Sequence, residues 1–133
     1  MTYLLDTNAC IQILNDTSPA TVSRLNACRP SQVRLCSIVK AELLFGARKS
    51  ERPAENHRAL QLFFAPFRSL PFDDSCAHQY GIIRHDLERM GQIIGPNDLM
   101  IAAIAMANEV TLVTHNTGEF SRVVGLEWED WDL

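Results

Sequence analysis

The chain predicts an α/β fold: a central parallel sheet, five strands in all, with helices on both faces. Three observations carry that expectation. Apolar runs of strand length alternate with longer stretches of helical periodicity. The first run, residues 2–5, has no polar interruption, as a strand buried on both faces requires. The joints between segments are tight and marked by proline, glycine, serine or aspartate.

In order, the first strand stops at Asp6-Thr7-Asn8 and a helix over 9–15 follows. Ser18-Pro19 supplies a cap and then proline at the first helical position, opening a helix to 27. Residues 33–36 are the next strand, Ser37 caps a helix reaching 49, and Pro53 opens another to 65. A weak strand over 70–72 precedes Asp73-Asp74, which cap a long helix to Met90 that Gly91 closes in a left-handed conformation. Gly95-Pro96-Asn97 breaks the chain before a helix over 98–108. A strand over 111–114, a helical turn over 117–120 and a closing strand over 126–128 complete it.

With 133 residues, 47% of them hydrophobic, the chain reads as one domain, 1–133, that buries a core without staples. Its longest apolar stretch, residues 99–107, falls short of the ~20 residues of a membrane span. No signal-like start is present, so the expectation is a soluble, cytoplasmic protein. Cys10, Cys28, Cys36 and Cys76 are too scattered for a zinc site or a disulfide framework and read as reduced, packed thiols. Up to residue 118 eleven acids balance eleven bases, and the net charge of −4 comes from the last fifteen residues. Such a chain does not coat nucleic acid through bulk positive charge. The group Arg48, Lys49, Arg52 and Arg58 reads as a solvated helix end.

Four positions need a chemical explanation. In open α/β sheets ligands lie outside the carboxyl ends of the strands, where Asp6 stands. The competing reading is that Asp6 only caps the next helix. On a helical wheel of 38–49, Glu42 falls among Ile38, Val39, Phe45 and Gly46, where a lone carboxylate is costly unless paired, protonated or bound to a cation. Asp98 begins an alanine-rich helix at its positive end. Leu112 to Asn116 repeats the opening pattern, an apolar strand ending in small polar groups, with Glu119 one turn on. In a parallel sheet these strand ends share one edge, so Asp6, Glu42, Asp98 and Asn116 or Glu119 can converge. Clustered carboxylates cannot all ionise, and a divalent cation removes the conflict. All-oxygen ligation suits Mg²⁺ or Mn²⁺, and such sites hydrolyse phosphate esters with a metal-activated water in line.

At these residues the sequence resembles the PIN-domain family, and more closely its VapC-type toxins. The motifs are Leu4-Leu5-Asp6-Thr7-Asn8, then Ala41-Glu42-Leu43-Leu44-Phe45-Gly46, then Gly95-Pro96-Asn97-Asp98-Leu99-Met100, and finally Leu112-Val113-Thr114-His115-Asn116 with Glu119-Phe120. The resemblance implies a PIN fold and a Mg²⁺-dependent endoribonuclease acting on single-stranded RNA, in many relatives a tRNA or rRNA loop. It implies a cognate VapB-like antitoxin that covers the active site, and commonly a homodimer. It carries Asp6 and Asp98 over as principal metal ligands, Glu42 as an aid in holding metal or orienting water, and Thr7 as a hydroxyl steadying the first acid. Many PIN domains have a fourth aspartate where this chain has Asn116, an uncharged ligand at best, and Glu119 is the candidate to replace it as a catalytic carboxylate.

Other residues have quieter readings. His115 ends a strand beside the site and reads as hydrogen-bonded, while His57, His78 and His85 read as helix-surface residues. Trp128 and Trp131 read as anchors of the C-terminal segment; Leu62, Phe63, Phe64 and Phe67 pack inside or meet a partner. A haloacid-dehalogenase-like phosphatase needs a second aspartate where Asn8 stands, and a receiver domain needs a lysine after a late strand, yet none follows Lys49. A non-catalytic PIN-like module binding RNA or protein is the principal alternative.

Overall fold

The computed structural model describes residues 1–133. Its sheet is ordered β3-β2-β1-β4-β5 and every neighbouring pair is parallel, as expected. β1 (Tyr3–Leu5) lies at the centre, with Leu4 and Leu5 fully buried. From β1 the chain passes through α1 (Thr7–Asn15), α2 (Pro19–Asn26) and a 3₁₀ turn (Pro30–Gln32) to β2 (Val33–Cys36). α3 (Ser37–Arg48) and α4 (Pro53–Phe64) then lead to β3 (Arg68–Leu70) at one edge. α5 (Asp74–Arg89) and α6 (Pro96–Asn108) carry it back across β1 to β4 (Thr111–Val113), and α7 (Thr117–Phe120) precedes β5 (Trp128–Glu129) at the other edge. The strand order therefore reverses between β1 and β4, and an open α/β sheet forms its ligand crevice at the carboxyl ends beside such a reversal.

Register makes this specific. Leu5 pairs with Val113, and the Asp6 amide donates to the Val113 carbonyl at 3.1 Å, so Asp6 stands level with Thr114. The core is continuous from β1, β2 and β4 into α6, whose Leu99 and 101–105 are buried. Small alanines at 102, 103 and 105 let that helix approach its neighbours closely and pack beside α5.

Several local expectations shift by a turn or less. α1 begins at Thr7 rather than at 9 because Asp6 is itself its N-cap. Ser37 is the first helical residue of α3 rather than its cap; that place is taken by Cys36, without a side-chain bond. The third strand forms at 68–70 rather than 70–72, and the last at 128–129 rather than 126–128, each set by pairing with its neighbour. α6 starts at Pro96 in the first helical position, which makes Asp98 its third residue. The buried row of α3 is Val39, Leu43 and Ala47, so Phe45, 65% exposed, does not lie on the apolar side. Gly91 takes φ +65° as expected.

The four cysteines are free, three of them buried. No helix is long and apolar enough to cross a membrane. Phe64 is buried with Phe63 and Phe67 beside it, whereas Leu62 is exposed. Trp131 anchors the C-terminal segment edge-on to Tyr3, ring centroids 5.2 Å apart; Trp128, 37% exposed, anchors less. His57, His78 and His85 lie at the surface, as do Arg48, Lys49, Arg52 and Arg58.

Candidate active site

Asp6 is both a cap and a buried acid. Its Oδ1 accepts from the Ala9 amide at 2.8 Å, and the residue is 3% exposed. Burial raises its pKa, opposed by the Ala9 amide and the Thr114 hydroxyl and reinforced by the charges of Glu42 and Asp130. The two readings of this position are therefore compatible.

Glu42 lies at the edge of the buried face of α3, half-buried, and no arginine or lysine pairs with it. Its partner is Thr7, whose hydroxyl donates to Glu42 Oε1 at 2.6 Å. The threonine after the first acid therefore steadies Glu42, and Thr114 does for Asp6 what Thr7 was expected to do.

Asp98 and Glu119 form a pair whose carboxyl pKa values are pulled in opposite directions. The Asp98 carboxyl is pushed up to about 7, first by burial, then by its hydrogen bond to Glu119 and by the charges of Glu119, Asp6 and Glu42. Glu119 is held below its ordinary value because Asp98 donates to it, with Asn116 and the Gly95 amide adding hydrogen bonds. Of the two carboxyls, Asp98 is thus the one that favours its proton. Asn116 brackets the pair: its Nδ2 donates to Asp98 Oδ2 at 3.4 Å and to Glu119 Oε2 at 3.2 Å. Its own amide donates to the Thr114 hydroxyl at 2.9 Å. With its amide nitrogen turned to the acids, Asn116, at the position of the fourth aspartate, orients two carboxyls. Gly95 borders the pair: a Cβ there would stand in ordinary contact, 3.7 Å from Asp98 Oδ2 and 3.9 Å from Glu119 Oε2.

The crevice thus gathers Asp6, Glu42, Asp98 and Glu119, each within electrostatic reach of Asp98. The carboxylates stand apart rather than closing on one point: no three His, Cys, Asp or Glu groups are near enough to one another to hold an ion as they are. The donor set nonetheless fits a hard divalent cation, being all oxygen and short of positive charge, with a proton occupying the role a cation would take. Two open clefts flank the crevice. One, about 360 Å³, runs from Glu42 along Ile11, Leu14, Leu43 and Leu60; the other, about 400 Å³, is lined by Asn8, Ile11, Gln12, His115 and Asn116.

Sequence reasoning passed over Asp130, which faces the same region. Its charge reaches Asp6, and its Oδ2 lies 2.8 Å from His115 Nδ1. Nothing local distinguished it from its acidic neighbours near the C-terminus.

The PIN domain model matches residues 3–126. A curated relative, ribonuclease VapC2 of Rickettsia felis, is 38% identical over 133 residues, 99% of each chain. The tRNA(fMet)-specific endonuclease VapC of Shigella flexneri is 37% identical over 131 residues, 97% of each chain. Among solved structures, VapBC2 from Rickettsia felis bound to a DNA fragment from their promoter contains a chain that superposes with TM-score 0.92 at 37% identity, covering 99% of this chain and 100% of that one.

Proposed function

The chain belongs to the PIN-domain family, in its VapC-type branch, and from that premise we propose that it is the toxin of a toxin–antitoxin pair, a Mg²⁺-dependent endoribonuclease cutting loops of tRNA or rRNA. The observation that supports this reading most is the gathering of four acids, Asp6, Glu42, Asp98 and Glu119, at one edge of the sheet, with Asn116 bonded to both Asp98 and Glu119. Mutual repulsion makes such a cluster of acids costly when all are ionised, whereas a dication or a phosphate-bound metal fits it.

Asp6, Asp98 and Glu42 would hold the ion, Mg²⁺ with Mn²⁺ as substitute, which when bound would neutralise the scissile phosphate and lower the pKa of attacking water. The chain's own part is orientation and proton handling. Asp6, fixed by the Ala9 amide, keeps one orientation, and Thr7 aims Glu42. Asn116 keeps Asp98 and Glu119 together, and the Glu119 carboxylate is the group that would accept the proton given up by the attacking water. No side chain acts as nucleophile, so no covalent RNA adduct forms. A VapB-like antitoxin is the inhibitory partner, and the groove beside Glu42, where Ile11 and Leu14 are 40% and 36% exposed, offers it apolar surface. The chain works as a homodimer in the cytoplasm.

The test is cleavage of pooled tRNA and rRNA by antitoxin-free protein with Mg²⁺ or EDTA, beside Asp6→Asn and Asp98→Asn. Discrete cuts that need metal and vanish in both variants are expected. An uncut pool would transfer the reading to a non-catalytic binding module.

A further inference from the structure

Asp130 is a nearly buried acid that the chemistry above leaves unused, its side chain only 10% exposed. It is held from two sides. Oδ1 accepts from the Asp132 amide at 2.9 Å, and Oδ2 faces His115 Nδ1 at 2.8 Å. Asp132 is fastened in turn by the Ser18 hydroxyl at 2.5 Å and the Gln12 amide at 3.1 Å, while buried Trp131 stacks on Tyr3 between the two aspartates. The carboxylate therefore cannot swing away, and the ring it holds has one orientation.

His115 itself is 57% exposed at the side chain, and no protein group bonds its Nε2. It is the only basic residue lining the cleft of about 400 Å³ on this side of the crevice. Its neighbour in that cleft, Asn116, touches both Asp98 and Glu119. The hydrogen bond to Asp130, then the charges of Asp130 and Asp132, raise the pKa of the ring, and with Nδ1 engaged by Asp130 the nitrogen left for a ligand is Nε2. A positioned imidazole whose protonation is favoured has a use in an acidic stretch when a polyanion must approach carboxylates that repel it.

We propose that His115, oriented by Asp130, binds substrate by donating Nε2–H to an RNA backbone phosphate next to the one being cut. The inference rests on the ribonuclease reading and adds a residue to it. Asp130 is the positioning residue, since it acts through the imidazole.

The test is steady-state cleavage of the pooled tRNA and rRNA with Mg²⁺ across about 50 to 200 mM KCl, a range over which phosphate contacts are strongly salt-dependent. His115→Ala is expected to raise KM about tenfold, the size of one charge-assisted hydrogen bond. It should also lower the slope of log KM against log salt by about 0.7, one phosphate contact on a single strand. His115→Arg should restore the slope, and Asp130→Asn should give an intermediate KM. A structural role would not move the salt slope. An unchanged slope in His115→Ala, or a loss confined to kcat, overturns the contact while leaving the nuclease intact. A wild-type chain that cuts nothing overturns the nuclease reading and this contact with it.

Discussion

Asp98→Asn should stabilise the metal-free protein, and the gain should depend on pH. Asparagine keeps the shape and can donate to Glu119 as the protonated aspartate does, but it never ionises. Folding moves the Asp98 carboxyl from 3.8 to about 7. The folded chain therefore holds more protons than the unfolded chain between these values, and wild-type stability falls as pH rises through that window. At ~1.4 kcal/mol per pH unit the full displacement corresponds to about 4 kcal/mol, which solvent screening of a half-buried carboxyl reduces to roughly 2 kcal/mol. Glu119, held below its ordinary value, contributes in the opposite sense, but its stabilisation is lost only as pH falls below about 4.5, outside a comparison of pH 5 with pH 8. For a chain of this size about 2 kcal/mol is a rise of roughly 6–9 °C in Tm. Thermal unfolding followed by circular dichroism in EDTA should show most of that advantage at pH 8 and about a third of it at pH 5. A variant that melts at or below wild type at pH 8, or with the same advantage at both pH values, would refute the argument that Asp98 favours its proton.

Two further predictions concern the same edge and the segment beside it. Mg²⁺ should raise the wild-type Tm more at pH 8 than at pH 6, because the ion must displace the proton on Asp98; at ten times Kd the stabilisation is about 1.4 kcal/mol. Differential scanning fluorimetry reads it, and an equal response at both pH values, or in Asp98→Asn, would contradict metal binding at this acid. Trp131→Ala should cost about 3–5 kcal/mol in urea unfolding, since the ring is 3% exposed, stacks on Tyr3 and donates to Glu129 at 3.1 Å. A loss below ~1 kcal/mol would mean that the C-terminal segment is not anchored there.

Much of this was legible because it is local. The uninterrupted apolar run before Asp6 and its repeat before Asn116 announce two buried parallel strands, and their polar ends announce the ligand edge. Pro19, Pro53 and Gly91 fix helix ends through single-residue backbone preferences. These depend on the chain's own periodicity and hold whatever else folds around them. Even here the sheet moved β3 and β5 by up to two residues, because a short strand is defined by its partner's hydrogen bonds.

What tertiary structure alone decided is which oxygen faces which. Thr7 precedes Glu42 by 35 positions and bonds it, although its nearest acid in sequence is Asp6. Asn116 reads as a missing acid until its amide is seen between Asp98 and Glu119. Asp130 is one of several acids near the C-terminus, and only the fold sets it against His115, fifteen residues earlier, and near Asp6. Sequence determined the fold class and the list of acids, since periodicity and strand ends are written in neighbouring residues. The pairing of those acids required the register of β1 against β4 and the C-terminal segment fastened by Trp131 and Asp132, because hydrogen bonds and charge coupling depend on distances that only the packed chain sets.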